Sequence, residues 1–140
     1  MKLHIVARGK IGRGPEAELV DRYAKRITWP FAITELPEVG GKAPALASPA
    51  RIIGLDETGE QLGSQNFARL LEDWRDSGVR EARFLIGAAA GLTAGERSSA
   101  DRLLSFGRAT WPHLMVRAML TEQLYRATSI IAGHPYHREG

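Results

Sequence analysis

The 140-residue chain contains no cysteine. Disulfide frameworks, thiolate zinc sites and cysteine nucleophiles are thereby excluded. Histidine is scarce as well: His4, His113, His134 and His137 are too few and too scattered to suggest a metal site, and no metal is expected. No apolar run approaches the length of about 20 residues that a membrane-spanning helix needs, and the N-terminus lacks the apolar core of a signal peptide. A cytoplasmic protein with no membrane partner is expected. Two phosphate-binding signatures are also missing, because neither a GxGxxG pattern nor a P-loop lysine and serine follows a predicted strand. Triphosphate and standard dinucleotide chemistry are therefore disfavoured.

What remains is an ordinary globular composition, 44% hydrophobic and 25% charged, in a chain long enough to bury its own core as one domain over residues 1–140. The net charge is +3, and arginine, the better bidentate phosphate partner, dominates the cations. Residues 1–26 carry Lys2, Arg8, Lys10, Arg13, Arg22, Lys25 and Arg26 against only Glu16, Glu18 and Asp21, whereas residues 51–100 are acidic in balance. A basic N-terminal end suits a polyanion such as RNA, although a solvated helix face explains the same composition.

The hydrophobic pattern alternates strands with helices. Lys2–Ala7 reads as a strand, the glycine-rich RGKIGRG as a loop, and Pro15 as the opening of a helix whose apolar positions Leu19, Val20, Tyr23 and Ile27 recur at three- and four-residue steps. Phe31–Leu36 is a second strand, and PEVGGKAPALASP over residues 37–49 a loop. Arg51–Asp56 is a third strand. Ser64 is a candidate cap for a helix that Gly78 ends, Ala82–Gly87 is a fourth strand, and Thr93 caps a helix ending near Ser105. The last helix, His113–Ala132, is apolar on more than one side and must be covered by more than one neighbour. This order predicts an α/β fold with a mostly parallel sheet and helices on both faces.

In such a sheet, ligands collect beyond the carboxyl ends of the strands. Three of those ends stand out: Leu55 with Asp56, Gly87 with the small residues through Gly91, and FGRATWP over residues 106–112. Taken alone, the 87–91 segment is better explained as a tight turn. The C-terminal GHPYHREG is unusual for a chain end, since two imidazoles, a phenol and a guanidinium offer acid–base groups, stacking and phosphate contact.

Taken together, KLHIVARGK, LIGAAAGL, ATWPHLMVRAMLTEQLYRA and HPYHRE, spread from Met1 to Glu139, resemble the bacterial RlmH family of 23S ribosomal RNA pseudouridine N3-methyltransferases, members of the SPOUT superfamily. The resemblance implies a C-terminal deep trefoil knot, otherwise very rare in proteins. It implies an S-adenosyl-L-methionine pocket formed by Leu55, Gly87, Phe106, Gly107, Arg108, Ala109, Thr110 and Trp111. It also implies a homodimer in which the tail of one subunit reaches the pocket of the other.

The reaction implied is methyl transfer to N3 of a pseudouridine in large-subunit ribosomal RNA. In it Tyr136 would stack on or hydrogen-bond the base, His137 would accept the imide proton, and Arg138 would stabilise negative charge or hold a phosphate. His134 is placed in sequence as well as His137 for the base and is assigned to the substrate, with Arg8, Lys10 and Arg13 as phosphate contacts. Glu122 and Arg126, four apart on the last helix, are read as an ordinary helical ion pair.

Two departures from the family pattern stand out. Gly87-Ala88-Ala89-Ala90-Gly91 lacks the acidic residue usual in that loop: if that acid contacts the cofactor or the base, weaker binding, impairment or use of another acid such as Glu96 is expected, and if it only caps the loop, little changes. The 37–49 loop replaces a longer, charged insertion. A non-catalytic RNA-binding or ribosome-associated protein on the same fold is the alternative reading, with the three alanines its best argument.

Overall fold

A computed structural model describes residues 1–138, with side chains for residues 1–136. Five strands form one sheet in the order β2-β1-β4-β3-β5: β1 (Lys2–Arg8), β2 (Phe31–Leu36), β3 (Ala50–Glu60), β4 (Glu81–Ile86) and β5 (Arg102–Leu104). Every neighbouring pair is parallel. The helices are α1 (Pro15–Ala24), α2 (Ser64–Asp76), α3 (Ala94–Ser99) and α4 (His113–Ile131), followed by a 3-10 turn at Pro135–Arg138. No helix among the described residues is long and apolar enough to cross a membrane.

Residue alternation assigns the two faces of the sheet. On one face Leu3, Ile5 and Ala7 of β1, Ala82, Phe84 and Ile86 of β4 and Ile53 of β3 join the main core with Phe67 and Leu71 of α2 and Leu120 and Leu124 of α4. Helix α4 packs against both α1 and α2, which explains why its sequence is apolar on more than one side. The β1–α1–β2 and β3–α2–β4 units step in the same direction across the sheet, so right-handed crossovers place α1 and α2 on this face. The β4–α3–β5 unit steps the other way. A side chain at Gly54, the neighbour of Ile53 and so of opposite orientation, would meet Leu92 and Ala100 at the two ends of α3. That face is covered by α3 and by the 37–49 loop.

Beneath the loop lies a polar layer that hydropathy does not reveal. Glu81 accepts hydrogen bonds from Arg83 Nε (2.7 Å), His4 Nδ1 (2.9 Å) and the Ala47 amide (3.1 Å). Arg83 in turn donates to the carbonyls of Pro44 (2.8 Å) and Ala45 (3.3 Å), so that a segment without regular structure is held to the sheet by charge-assisted bonds.

Three expectations need correction. The helix capped by Thr93 does not run to Ser105: it ends at Ser99, and residues 102–104 form a fifth strand. The Ser98 and Ser99 hydroxyls bond back to the Ala94 and Glu96 carbonyls, and Asp101 then docks on the edge of β3 through both its amide and its carboxylate. The third strand runs past Asp56 to Glu60, because Glu60 pairs with Leu104 across a register shift. Finally, Gly63 is the N-cap of α2, and Ser64, already inside the helix, donates its hydroxyl to Gln123 of α4 at 2.9 Å.

Candidate functional site

At the carboxyl ends of β3, β4 and β5 the sheet opens into a cavity of about 650 Å³, a size suited to a nucleoside-sized ligand. Its walls come from three segments: residues 55–58, 86–92 and 104–113. The sequence places Leu55, Gly87, Phe106, Gly107, Ala109, Thr110 and Trp111 there, and each of them lines the cavity. Arg108 is exposed and does not line it. Pattern reading missed Glu57, Thr58, Leu92, Arg97, His113 and Val116. The signal for Glu57 and Thr58 lay in their position directly after the apolar run of β3.

Each wall is held by identifiable bonds. Residues 88–91 form a tight turn closed by the Gly91 amide on the Ala88 carbonyl (2.8 Å). A side chain at Gly87 would lie 2.3 Å from the Gly91 carbonyl carbon, so only glycine lets the turn fold back against the end of β4. The 105–110 wall is tied to β3 by the Ser105 amide donating to the Glu60 carbonyl (2.8 Å) and Thr110 Oγ1 donating to the Glu57 carboxylate (2.8 Å).

The lining is mixed. Leu55, Ile86, Leu92, Phe106 and Val116 supply apolar surface, and Asp56 and Glu57 supply carboxylates. Asp56 is paired with Arg97 and accepts from both the hydroxyl and the amide of Thr58. Burial acts to raise the carboxyl pKa of Asp56, but the Thr58 bonds and the Arg97 charge outweigh it and hold the group ionised below its ordinary range. Glu96 lies outside the lining. Its carboxylate closes a reciprocal capping box with Thr93 and accepts from Arg8 Nε (3.1 Å). The acids at the cavity are thus Asp56 and Glu57.

The expected phosphate contacts have different surroundings. The Arg8 side chain, 12% exposed, bonds Glu96 and the carbonyls of Pro37 (2.8 Å) and Gly40 (2.6 Å). Lys10 and Arg13 are exposed on the loop after β1. That loop borders the cavity, since His113 Nε2 lies 3.7 Å from where a side chain at Gly9 would begin.

The tail follows the far end of α4 and packs back against the middle of that helix. Tyr136 donates its hydroxyl to Glu122 Oε2 (2.8 Å), and its ring lies 4.5 Å from that of Tyr125 with the Arg126 guanidinium 4.9 Å away. Glu122 and Arg126 form the expected helical ion pair at 2.7 Å. Burial, and then the Glu122 carboxylate, push the Tyr136 phenol pKa upward, so the phenol stays protonated and acts as a donor. His134 is exposed, and its Nδ1 accepts from the Tyr136 amide (3.2 Å). The side chains of His137 and Arg138 lie outside the described residues, as do Glu139 and Gly140. Helix α4 rises about 27 Å from His113, at the cavity, to Ile131, and the tail then folds back so that the Tyr136 hydroxyl meets Glu122 near the middle of the helix.

Comparisons with known proteins agree with this geometry. Residues 1–137 match the family model described as predicted SPOUT methyltransferase. The chain is 70% identical to the ribosomal RNA large subunit methyltransferase H of Sphingopyxis alaskensis, covering 100% of this chain and 99% of the relative. It is 66% identical to the protein of the same name from Rhizorhabdus wittichii, over the full length of both. Among solved structures, a probable methyltransferase from Bordetella pertussis Tohama I superposes with a TM-score of 0.58 at 12% identity, covering 89% of this chain and 95% of that one. The SpoU methyltransferase AviRb from Streptomyces viridochromogenes, in complex with the cofactor AdoMet, superposes at 0.54 and 13% identity, covering 91% of this chain and 60% of that one. At such identities these two likenesses speak for the fold alone.

Proposed function

Because the chain belongs to the SPOUT methyltransferase family, within the group of ribosomal RNA large subunit methyltransferase H, we propose that it is an S-adenosyl-L-methionine-dependent enzyme that methylates N3 of a pseudouridine in 23S ribosomal RNA. The observation that carries this reading is the cavity itself. It is built at the carboxyl ends of three parallel strands by the segments that the family resemblance assigns to the cofactor. Its chemistry fits that group: apolar walls suit an adenosine, and the Glu57 carboxylate suits the positive charge of a sulfonium or an ammonium. When bound, S-adenosylmethionine supplies an electrophilic methyl group.

The protein supplies position, exclusion of water and proton handling. Thr110 and Glu57 lock the 104–113 wall to the central wall at the end of β3, and Gly87 admits the tight turn that forms the third. Lys10 and Arg13, with Arg8 behind them, make the phosphate contacts. Tyr136, anchored by Glu122, orients the tail; His137 accepts the imide proton, and Arg138 stabilises the anion that forms. His134 contacts the substrate.

The tail works on the cavity of a second copy, and the site is completed by a homodimer. Trp111 and Met115, apolar residues 44% and 37% exposed at the start of α4, support this arrangement. A trefoil knot in the C-terminal half is part of the same reading. In its favour, β5 lies on the far side of β3 from β4, and the chain then returns to place α4 between α1 and α2. Such an enzyme acts in the cytoplasm, on large subunits or assembled ribosomes.

Methyl transfer from labelled S-adenosylmethionine to unmethylated large-subunit particles, followed by mass spectrometry of the RNA nucleosides, tests the reading. One methyl group on a pseudouridine is expected. Label in no nucleoside, or in another base, would overturn the assignment.

A further inference from the structure

Arg117, one turn into α4, is 1% exposed and is the largest fully buried side chain among the described residues. Its Nη1 donates to Glu35 Oε2 (2.5 Å) and its Nη2 to the Gly9 carbonyl (3.0 Å). Glu35, at the end of β2, accepts in addition from the Ile11 amide through the same oxygen (2.8 Å). A further bond, from the Gly9 amide to the Leu36 carbonyl (2.8 Å), fixes the entry to the loop. The loop after β1 is thus fastened at two of its own backbone positions, Gly9 and Ile11, directly around Lys10, and both bonds lead to Arg117. Among the described residues, the Nε of Arg117 finds no hydrogen-bond partner.

A guanidinium enclosed in this way is a poor device for stability alone. Burying an ion pair costs several kcal/mol, and an apolar side chain of similar size often does as well. A planar fork that reaches a carboxylate and a carbonyl at once is a good device for holding a backbone in one shape. The element being held is a loop rich in glycine, which would otherwise sample many shapes. It carries two exposed cations, Lys10 and Arg13, and abuts His113 at the rim of the cavity.

We propose that Arg117, acting through Glu35, is a positioning residue for RNA: it clamps the Gly9–Arg13 loop beside the cavity so that Lys10 and Arg13 present a preformed phosphate-binding edge. This rests on the reading of the loop as a phosphate contact given above. The clamp springs from the helix that begins where the 104–113 cavity wall ends, so one helical turn serves both the cofactor wall and the RNA edge.

Two measurements on the full chain test it separately. Amide hydrogen exchange reports on the clamp without RNA. In Arg117→Met and in Glu35→Ala, exchange at residues 9–13 should quicken by roughly tenfold or more while the strands keep their protection. Unchanged exchange in both variants would overturn the clamp. Glu35, at the accessible end of the pair, guards against a folding defect in the buried variant, and Arg117→Lys, which can reach only one of the two acceptors, should fall between wild type and Arg117→Met.

Binding to purified large ribosomal subunits across a salt series reports on the RNA edge. The double variant Lys10→Ala/Arg13→Ala should lower the slope of log affinity against log salt by about 2. Arg117→Met should lower the slope in the same direction, and adding it to the double variant should change little further. S-adenosylmethionine affinity should stay within about twofold of wild type in all of them, as additivity of separate sites requires. Full additivity, or a salt slope unmoved by Arg117→Met despite a loosened loop, would overturn the proposal. Wild-type protein that binds subunits but transfers no methyl group would instead strike at the enzymatic reading and leave the clamp standing.

Discussion

His4, Glu81 and Arg83 form the most enclosed charged group outside the cavity, at 2%, 1% and 4% exposure. A carboxylate can only accept, so His4 Nδ1 carries the proton towards Glu81, and Nε2 accepts from the Thr34 hydroxyl at 2.7 Å. Burial holds the His4 pKa below its ordinary 6.5, the bond to Glu81 offsetting only part of that effect. For Glu81 burial acts in the opposite sense, but the Ala47, Arg83 and His4 hydrogen bonds prevail and hold its pKa below the ordinary 4.5.

The two shifts act on stability with one sign. His4 is neutral in the fold, so its protonation favours unfolding as pH falls below 6.5; the stabilisation from ionised Glu81 is present above 4.5 and is lost as pH falls through its folded-state value. Unfolding free energy should therefore decline steadily on acidification from about pH 6.5. Glu81→Gln leaves Arg83 buried without its carboxylate and should cost about 3 kcal/mol in urea unfolding at pH 7. A loss below about 0.5 kcal/mol, the level of an ordinary surface change, would show that the layer is not the fastening of the 37–49 loop.

Among elements, those with their own local signals were legible in the sequence. Pro15 opens α1, Gly78 follows the end of α2, the Thr93–Glu96 pair caps α3, and the apolar run of β4 is buried throughout. Elements that depend on distant partners were not. Three residues of β5 carry no periodicity of their own, and they become a strand because Asp101 and Glu60 dock them on β3. The same limit applied to the site. The three loops were readable because each follows a strand or joins one to a helix, while the Glu57–Thr110 link spans 53 positions and the Arg117–Glu35 link 82. The 87–91 turn presses its backbone against the end of β4 at Gly87. Gly87→Ala forces a contact that no side chain can relieve, so it should destabilise the protein by about 1–3 kcal/mol in chemical unfolding and open the turn at the cavity. An unchanged unfolding midpoint would show that the turn yields without strain.

On the scale of the whole molecule, the proposed site takes its cavity from one chain and its tail from a second, an arrangement that mixed dimers test directly. Ala109 is exposed on the lip of the cavity, so Ala109→Trp should block it without touching the core. Protomers carrying Ala109→Trp and protomers carrying Arg138→Ala should each be inactive as pure species. Mixed by co-expression, they should recover about a quarter of wild-type methyl transfer, because half of the dimers are mixed and each of those retains one intact site. No recovery in mixtures shown to contain the mixed dimer would mean that cavity and tail act within one chain.

The most direct measurement is calorimetric titration of S-adenosylmethionine into the purified protein, with Ala109→Trp as the control. The cavity described above predicts saturable binding in the wild type and a loss of at least about tenfold in affinity in the variant, the effect of filling a ligand site with a large side chain. No heat at millimolar ligand, or equal affinity in the two proteins, would contradict it.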